Sequence, residues 1–216
     1  MIRLTRAPLP PDLQAACAER ANALRDLLAL GAEPPAALLS AYRDPDLKCH
    51  LVSEVNGKCM YCESKITHVY FGDVEHIRPK SAFPAERLDV SNLGLACAVC
   101  NGKKGDYWDA TASVLNPYVD VPAEEVMMLG FLLARRPGRT RARVTIEKLE
   151  LNRPALLERR RERVELLQAL ADQYVQTPAG PVRELIRGEL LRQAGPDSEY
   201  ALVVQAYIEA ACGLTI

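Results

Sequence analysis

Four of the seven cysteines in this 216-residue chain fall into two Cys-x-x-Cys pairs, Cys59/Cys62 and Cys97/Cys100. A two-residue spacer lets one turn present both sulfurs to a single ion. Two such pairs supply the four thiolates of a closed tetrahedral Zn²⁺ site. A closed shell leaves no position for water, so the zinc expected here is structural, a staple for a region too small to hold itself by burial. The competing explanations are chance matches or a redox dithiol; one pair alone would allow either, whereas two pairs flanking a compact polar segment favour zinc. An odd cysteine count and no export-signal pattern argue against a disulfide framework and for a cytoplasmic setting. Cys17, Cys49 and Cys212 stand alone in apolar surroundings and read as buried, inert thiols. Thirty-four residues separate Cys62 from Cys97, more than a plain zinc ribbon needs, so the staple is expected to house something.

Inside that gap lies Gly72-Asp-Val-Glu-His-Ile-Arg-Pro-Lys80, followed by Ser91-Asn-Leu-Gly-Leu-Ala-Cys97 and Cys100-Asn-Gly-Lys-Lys-Gly-Asp106. Over 58–106 the sequence resembles the HNH, or ββα-metal, nucleases. In that family a carboxylate–His pair ends the first strand, an Asn follows in the next strand or loop, and a His or Asn on a helix completes a metal site. The matching residues here are Glu75, His76, Asn92 and Asn101, and paired Cys-x-x-Cys staples often accompany the motif. The sequence departs from the common pattern twice, with Asn101 where many members carry His and Glu75 where many carry Asp. A narrower likeness extends further along the chain. The start Arg6-Ala-Pro-Leu-Pro-Pro11, Cys59-Met-Tyr-Cys-Glu63, Leu115-Asn-Pro-Tyr118 and Leu151-Asn-Arg153 are similar to the PtuB-like HNH proteins of Septu-type and retron-linked phage defence. That resemblance implies an ATPase partner of the ABC/SMC-like class.

The residue types suit the chemistry that the resemblance implies. Phosphodiester hydrolysis needs a base for water, a cation for the developing charge and help for the leaving oxygen. His76 is the right type for the base, and Glu75 and Asn101 are hard oxygen ligands suited to Mg²⁺ or Mn²⁺. Asp73, two residues before Glu75, is a further ligand candidate. Asn92 is expected to brace a loop and so orient His76. Arg78, Lys80, Lys103 and Lys104 are candidates for contacts with nucleic-acid phosphates, DNA first and RNA not excluded. Neighbouring strand residues point to opposite faces, so Glu75 and His76 can share one site only if the strand ends or twists there. His50 and His68 read as ordinary surface or satisfied histidines. The rival function is a non-catalytic, zinc-ribbon-like module that binds nucleic acid or protein, but such a module has no need of Glu75, His76, Asn92 and Asn101 between its ligand pairs.

These residues need elements to hold them. The first 57 residues read as a helical collar without chemistry: one helix from an Asp12 N-cap to Leu30, a second from the Pro34-Pro35 pair to about Tyr42, and a third over 45–55. A strand is expected over 68–76 and a short helix over 97–107, opening on the cysteine knuckle. Residues 126–134 and 141–146 read as two strands that could pair as a hairpin across Pro137-Gly138. Helices follow over 153–175, 182–193 and 198–211. The expected architecture is α+β: residues 1–57 helical, 58–120 the zinc-stapled HNH module, and 121–216 a basic hairpin with a C-terminal helical region.

Charge refines the partner. Lys and Arg number 27 against 28 acidic residues, a net −1, which excludes binding driven by bulk positive charge. The charge is unevenly spread, however. Residues 135–163 carry eleven Arg and Lys against four Glu, a net +7, leaving −8 for the remainder. This segment is either an electrostatic footprint for a phosphate backbone, a solvated hairpin and helix face, or a subunit contact. No apolar run is long enough to span a membrane.

Overall fold

The computed structural model describes residues 1–67 and 70–215. Helix α1 (Pro11–Ala29) starts on Pro10 rather than on Asp12, which lies inside the first turn and caps nothing. Pro11 occupies the first helical position, where its missing N–H costs no hydrogen bond. Gly31, at φ +66°, stops the helix. A short α2 (Ala36–Leu39) and a 3₁₀ turn, Ala41–Arg43, lead to α3 (Pro45–Glu54). The Asp44 carboxylate caps α3 by accepting from the N–H groups of Asp46 and Leu47 at 3.0 and 3.2 Å.

The central module is small. Strand β1 (Asp73–His76) pairs antiparallel with β2 (Leu93–Ala96) in the register Asp73↔Ala96, Glu75↔Gly94 and His76↔Leu93. β1 is shorter than the sequence suggests. Tyr70, Phe71 and Gly72 precede it without strand pairing, and the expected start at His68 and Val69 lies outside the described residues. Gly72 adopts φ +66°, and a Cβ there would lie 2.9 Å from both Ile66 and Leu95 side chains, so only glycine brings the chain into β1 at this angle. β2 is buried along its whole length and leads directly into α4 (Ala98–Lys104), with Cys97 as the N-cap.

A four-residue helix α5 (Pro122–Glu125) precedes a hairpin of β3 (Val126–Leu129) and β4 (Leu132–Arg135), which turns at Gly130–Phe131 with Gly130 at φ +61°. The expected single strand over 126–134 is thus itself the hairpin, and the expected second strand at 141–146 is helical, within α6 (Thr140–Lys148). The alternation Arg-Ala-Arg-Val-Thr-Ile resembles a strand, but Ala142, Thr145 and Leu149 are all buried, the spacing of one helix face. Arg141 pins the first turn with a two-pronged ion pair to Asp120 at 2.8 and 2.7 Å. The long α7 (Pro154–Gln176) packs its Leu156, Val164, Leu167, Ala171 and Tyr174 face toward α8 (Pro181–Gln193) and α9 (Ala201–Cys212). One buried apolar cluster runs from Met1 to Leu214 through all three sequence segments, so collar, module and C-terminal helices share a core. Among the described residues no helix is long and apolar enough to cross a membrane.

Candidate active site and zinc centre

The zinc centre is built by two local devices. Residues 59–64 form a knuckle: Cys59 N–H donates to Ser64 O and Glu63 N–H to Cys59 O, with Glu63 at φ +65°. Met60 N–H donates to Leu95 O and ties the knuckle to β2. The second pair sits at the α4 N-terminus, where Cys97 Sγ accepts from Cys100 N–H at 3.4 Å. The four sulfurs lie within 4.8 Å of one another, with Cys62 and Cys97 Sγ 3.9 Å apart. Thiolates tetrahedral about Zn²⁺ at about 2.3 Å are about 3.8 Å apart, so the cluster fits zinc. The Arg153 guanidinium lies 3.8 and 3.9 Å from Cys100 Sγ, placing a positive charge against the thiolates. Of the three lone cysteines, Cys17 is buried and Cys212 half-buried, but Cys49 is exposed; α3 turns it outward.

Beside the zinc centre, β1 ends in a cleft of about 510 Å³ lined by Tyr42, Asp73, Glu75, His76, Lys80 and Asn101 among others. Because the strand stops at His76, Glu75 and His76 both reach this cleft although they are neighbours in sequence. His76 is 7% exposed, and burial lowers its pKa to about 4, so the ring is neutral at pH 7. Its Nε2 lies 3.0 Å from Arg87 O. A carbonyl only accepts, so Nε2 carries the proton and Nδ1 keeps its lone pair.

Asp73 and Glu75 share one face of β1. Asp73 accepts from Tyr70 O–H at 2.8 Å and from Asn101 Nδ2 at 3.0 Å, which brings Asn101 of α4 against the strand and leaves its amide oxygen without a protein donor among the described residues. Glu75 is 2% exposed; burial pushes its carboxyl up, and Lys104 beside it pulls in the opposite direction. Both of its protein partners, Lys104 Nζ at 2.7 Å and Tyr61 O–H at 3.2 Å, contact Oε1. Oε2 carries no protein hydrogen bond among the described residues. The oxygen donors of Asp73, Glu75 and Asn101 therefore line one cleft and suit a hard divalent cation.

Among the described residues the Asn92 side chain makes no hydrogen bond to His76. Its Oδ1 accepts from Arg78 N–H at 2.8 Å, and its Nδ2 donates to Arg78 O and Glu86 O at 3.0 and 3.3 Å. These bonds hold the loop from which Arg87 O reaches the imidazole.

The four candidate phosphate contacts differ in placement. Lys104 is 2% exposed, and besides Glu75 its Nζ bonds His76 O at 2.7 Å, so it faces inward as a brace and not outward to a backbone phosphate. Lys103 pairs with Glu150 at 2.5 Å. Arg78 pairs with Glu86 and stacks over Phe83 at 3.6 Å, with Trp108 edge-on to Phe83. Lys80 lines the cleft, its Nζ 3.3 Å from Tyr42 Oη. Within the +7 segment Arg143, Arg159 and Arg161 pair with the segment's own glutamates, Arg139 and Arg141 pair with Glu125 and Asp120 outside it, and Arg160 is buried against Phe131 O and Asn152. Sequence reading missed Tyr42, Arg43 and Lys48, which come from the collar and line the same cleft. No local spacing links them to a motif some thirty residues downstream.

Comparison with known proteins agrees with this geometry. The family model for HNH endonuclease matches residues 59–107. A Septu protein PtuB from Bacillus thuringiensis is 29% identical over 183 residues, covering 78% of this chain and 70% of that protein. A Septu protein PtuB from Bacillus mycoides (strain KBAB4) is 27% identical over 151 residues, covering 56% of this chain and about half, 51%, of the relative.

Proposed function

We propose that this chain, which carries an HNH endonuclease module and is similar to two Septu PtuB proteins, is a metal-dependent endonuclease that hydrolyses DNA phosphodiester bonds. Its setting is cytoplasmic antiphage defence, where it serves as the nuclease beside an ATPase of the ABC/SMC-like class. The observation that carries the reading is a neutral His76, with its proton on Nε2 and its lone pair on Nδ1, in one cleft with the Asp73, Glu75 and Asn101 oxygens.

His76 Nδ1 takes the proton of the attacking water, and the Arg87 carbonyl steadies the imidazolium that results. Asp73, Glu75 and Asn101 would hold a divalent cation, Mg²⁺ or Mn²⁺, which would supply the positive charge that the phosphoryl transition state and leaving oxygen require. Lys104 keeps the buried Glu75 carboxylate ionised, and Asn92 holds the loop that orients His76. Zinc on Cys59, Cys62, Cys97 and Cys100 fixes α4, and with it Asn101, relative to β1.

The test is nicking of supercoiled plasmid with Mg²⁺ or Mn²⁺, by the chain alone and assembled with its ATPase. His76→Ala is expected to slow cleavage by about 10²–10⁴-fold. Nicking that survives unchanged in this variant refutes the base assignment.

A further inference from the structure

Three cations line the cleft without a carboxylate partner among the described residues: Arg43, Lys48 and Lys80. Arg78, Lys103 and Lys104, in contrast, are each committed to an acid. Arg43 Nε and Lys80 Nζ both point at Tyr42 Oη, at 3.2 and 3.3 Å, so two positive charges converge on one neutral oxygen. Lys48 Nζ lies over the face of Phe71 at 6.0 Å. Like charges held together without a carboxylate partner are an unfilled anion site; of the three acids that line the same cleft, Asp73 and Glu75 belong to β1 and Asp106 follows α4.

The backbone carrying these cations is braced. Tyr42 packs edge-on against His76 with ring centroids 4.7 Å apart. Arg87, whose carbonyl orients His76, donates its Nε to Leu39 O at 2.7 Å. Asp44, between Arg43 and α3, is fixed by Arg20 at 2.8 Å and by its own capping bonds. The collar segment is thus fastened to the loop that holds the base.

We propose that the helical collar forms one wall of the substrate channel, with Arg43 and Lys48, together with Lys80, gripping the DNA phosphates that flank the scissile one. This rests on the nuclease reading for its substrate but not for its measurement. Tyr42 is the positioning residue of the wall: its ring is set by His76, and its oxygen gathers the Arg43 and Lys80 side chains over the cleft. The phosphates flanking the cut are thereby registered against the same imidazole that activates water.

The experiment measures binding of a fluorescein-labelled DNA duplex by anisotropy across a salt series, without added Mg²⁺ or Mn²⁺, so that no substrate is consumed and His76 still seats the Tyr42 ring. Arg43→Ala/Lys48→Ala is expected to lower the slope of log K against log salt by about 1.8, roughly 0.9 per lost phosphate contact. In the cleaving protein the same pair should lower kcat/KM. Arg183→Ala/Arg187→Ala on α8 removes equal charge away from the cleft and should leave the slope unchanged. A slope unaltered by the collar pair, or lowered equally by the α8 pair, overturns the wall. If the native protein never nicks DNA while the collar pair still lowers the slope, the nuclease reading fails and the wall stands.

Discussion

Lys104→Met removes the ammonium that neutralises Glu75 while nearly preserving volume and helix propensity. Lys104 and Glu75 side chains are 2% and 3% exposed, and Nζ to Oε1 is 2.7 Å, so the pair is fully inside the protein. Breaking such a pair from one side leaves an uncompensated buried charge, which costs about 3–5 kcal/mol. The same change strips the His76 carbonyl of its 2.7 Å donor. In a chain of this size roughly 2–4 °C of melting temperature follows each kcal/mol, so the expected fall is about 6–20 °C. Glu75→Gln/Lys104→Met removes the stranded charge, and is expected to be more stable than Lys104→Met alone. Urea titration of the zinc-loaded protein followed by circular dichroism, run on all four members of the cycle, measures both quantities. A loss below about 1 kcal/mol, or a double variant no more stable than the single, would show that Glu75 is not held as a buried carboxylate and would remove the basis for its ligand role.

Two further outcomes follow from the same contacts. Arg153→Ala takes the guanidinium from Cys100 Sγ, and zinc should then pass to a colorimetric chelator at about 10–100-fold lower chelator concentration; unchanged competition would mean that Arg153 serves only the Leu149 and Glu150 carbonyls it also touches. Asp44→Ala removes the α3 cap and should cost about 1 kcal/mol at neutral pH. The hydrogen bond from Arg20 holds the Asp44 carboxyl below its ordinary value, so its stabilisation is present above that value and is lost as pH falls through the folded one. The gap between native and variant should therefore close below about pH 4, and a gap that persists there would assign the loss to the Asp44 backbone and not to its charge.

How much could be read in advance depends on how far apart the cooperating residues lie. The Cys59/Cys62 and Cys97/Cys100 pairs were legible because a two-residue spacer imposes its geometry locally. Glu75, His76 and Asn101 could be named as candidates because each sits at a short element boundary, and the fold brings the three to one cleft. Helix ends marked by Gly31 and by Pro45 were legible for the same local reason, whereas the Asp44 cap emerged only in the structure. The 141–146 segment was misread because a two-residue alternation and β-branched side chains describe propensity only, while the burial of Ala142, Thr145 and Leu149 and the grip of Asp120 on Arg141 decide the outcome.

By itself, then, the sequence determined the chemistry available: four thiolates for zinc, a histidine beside a carboxylate, and amide oxygens for a hard cation. Tertiary structure alone decided how each charge is used. Lys104 became a buried brace, Arg139 and Arg141 of the +7 segment met Glu125 and Asp120 from outside it, and Arg43 and Lys48 were carried from the collar to the cleft. The physical reason is that ionic partners and exposure are properties of packed surfaces. Those surfaces bring together residues whose separation along the chain carries no trace of their meeting.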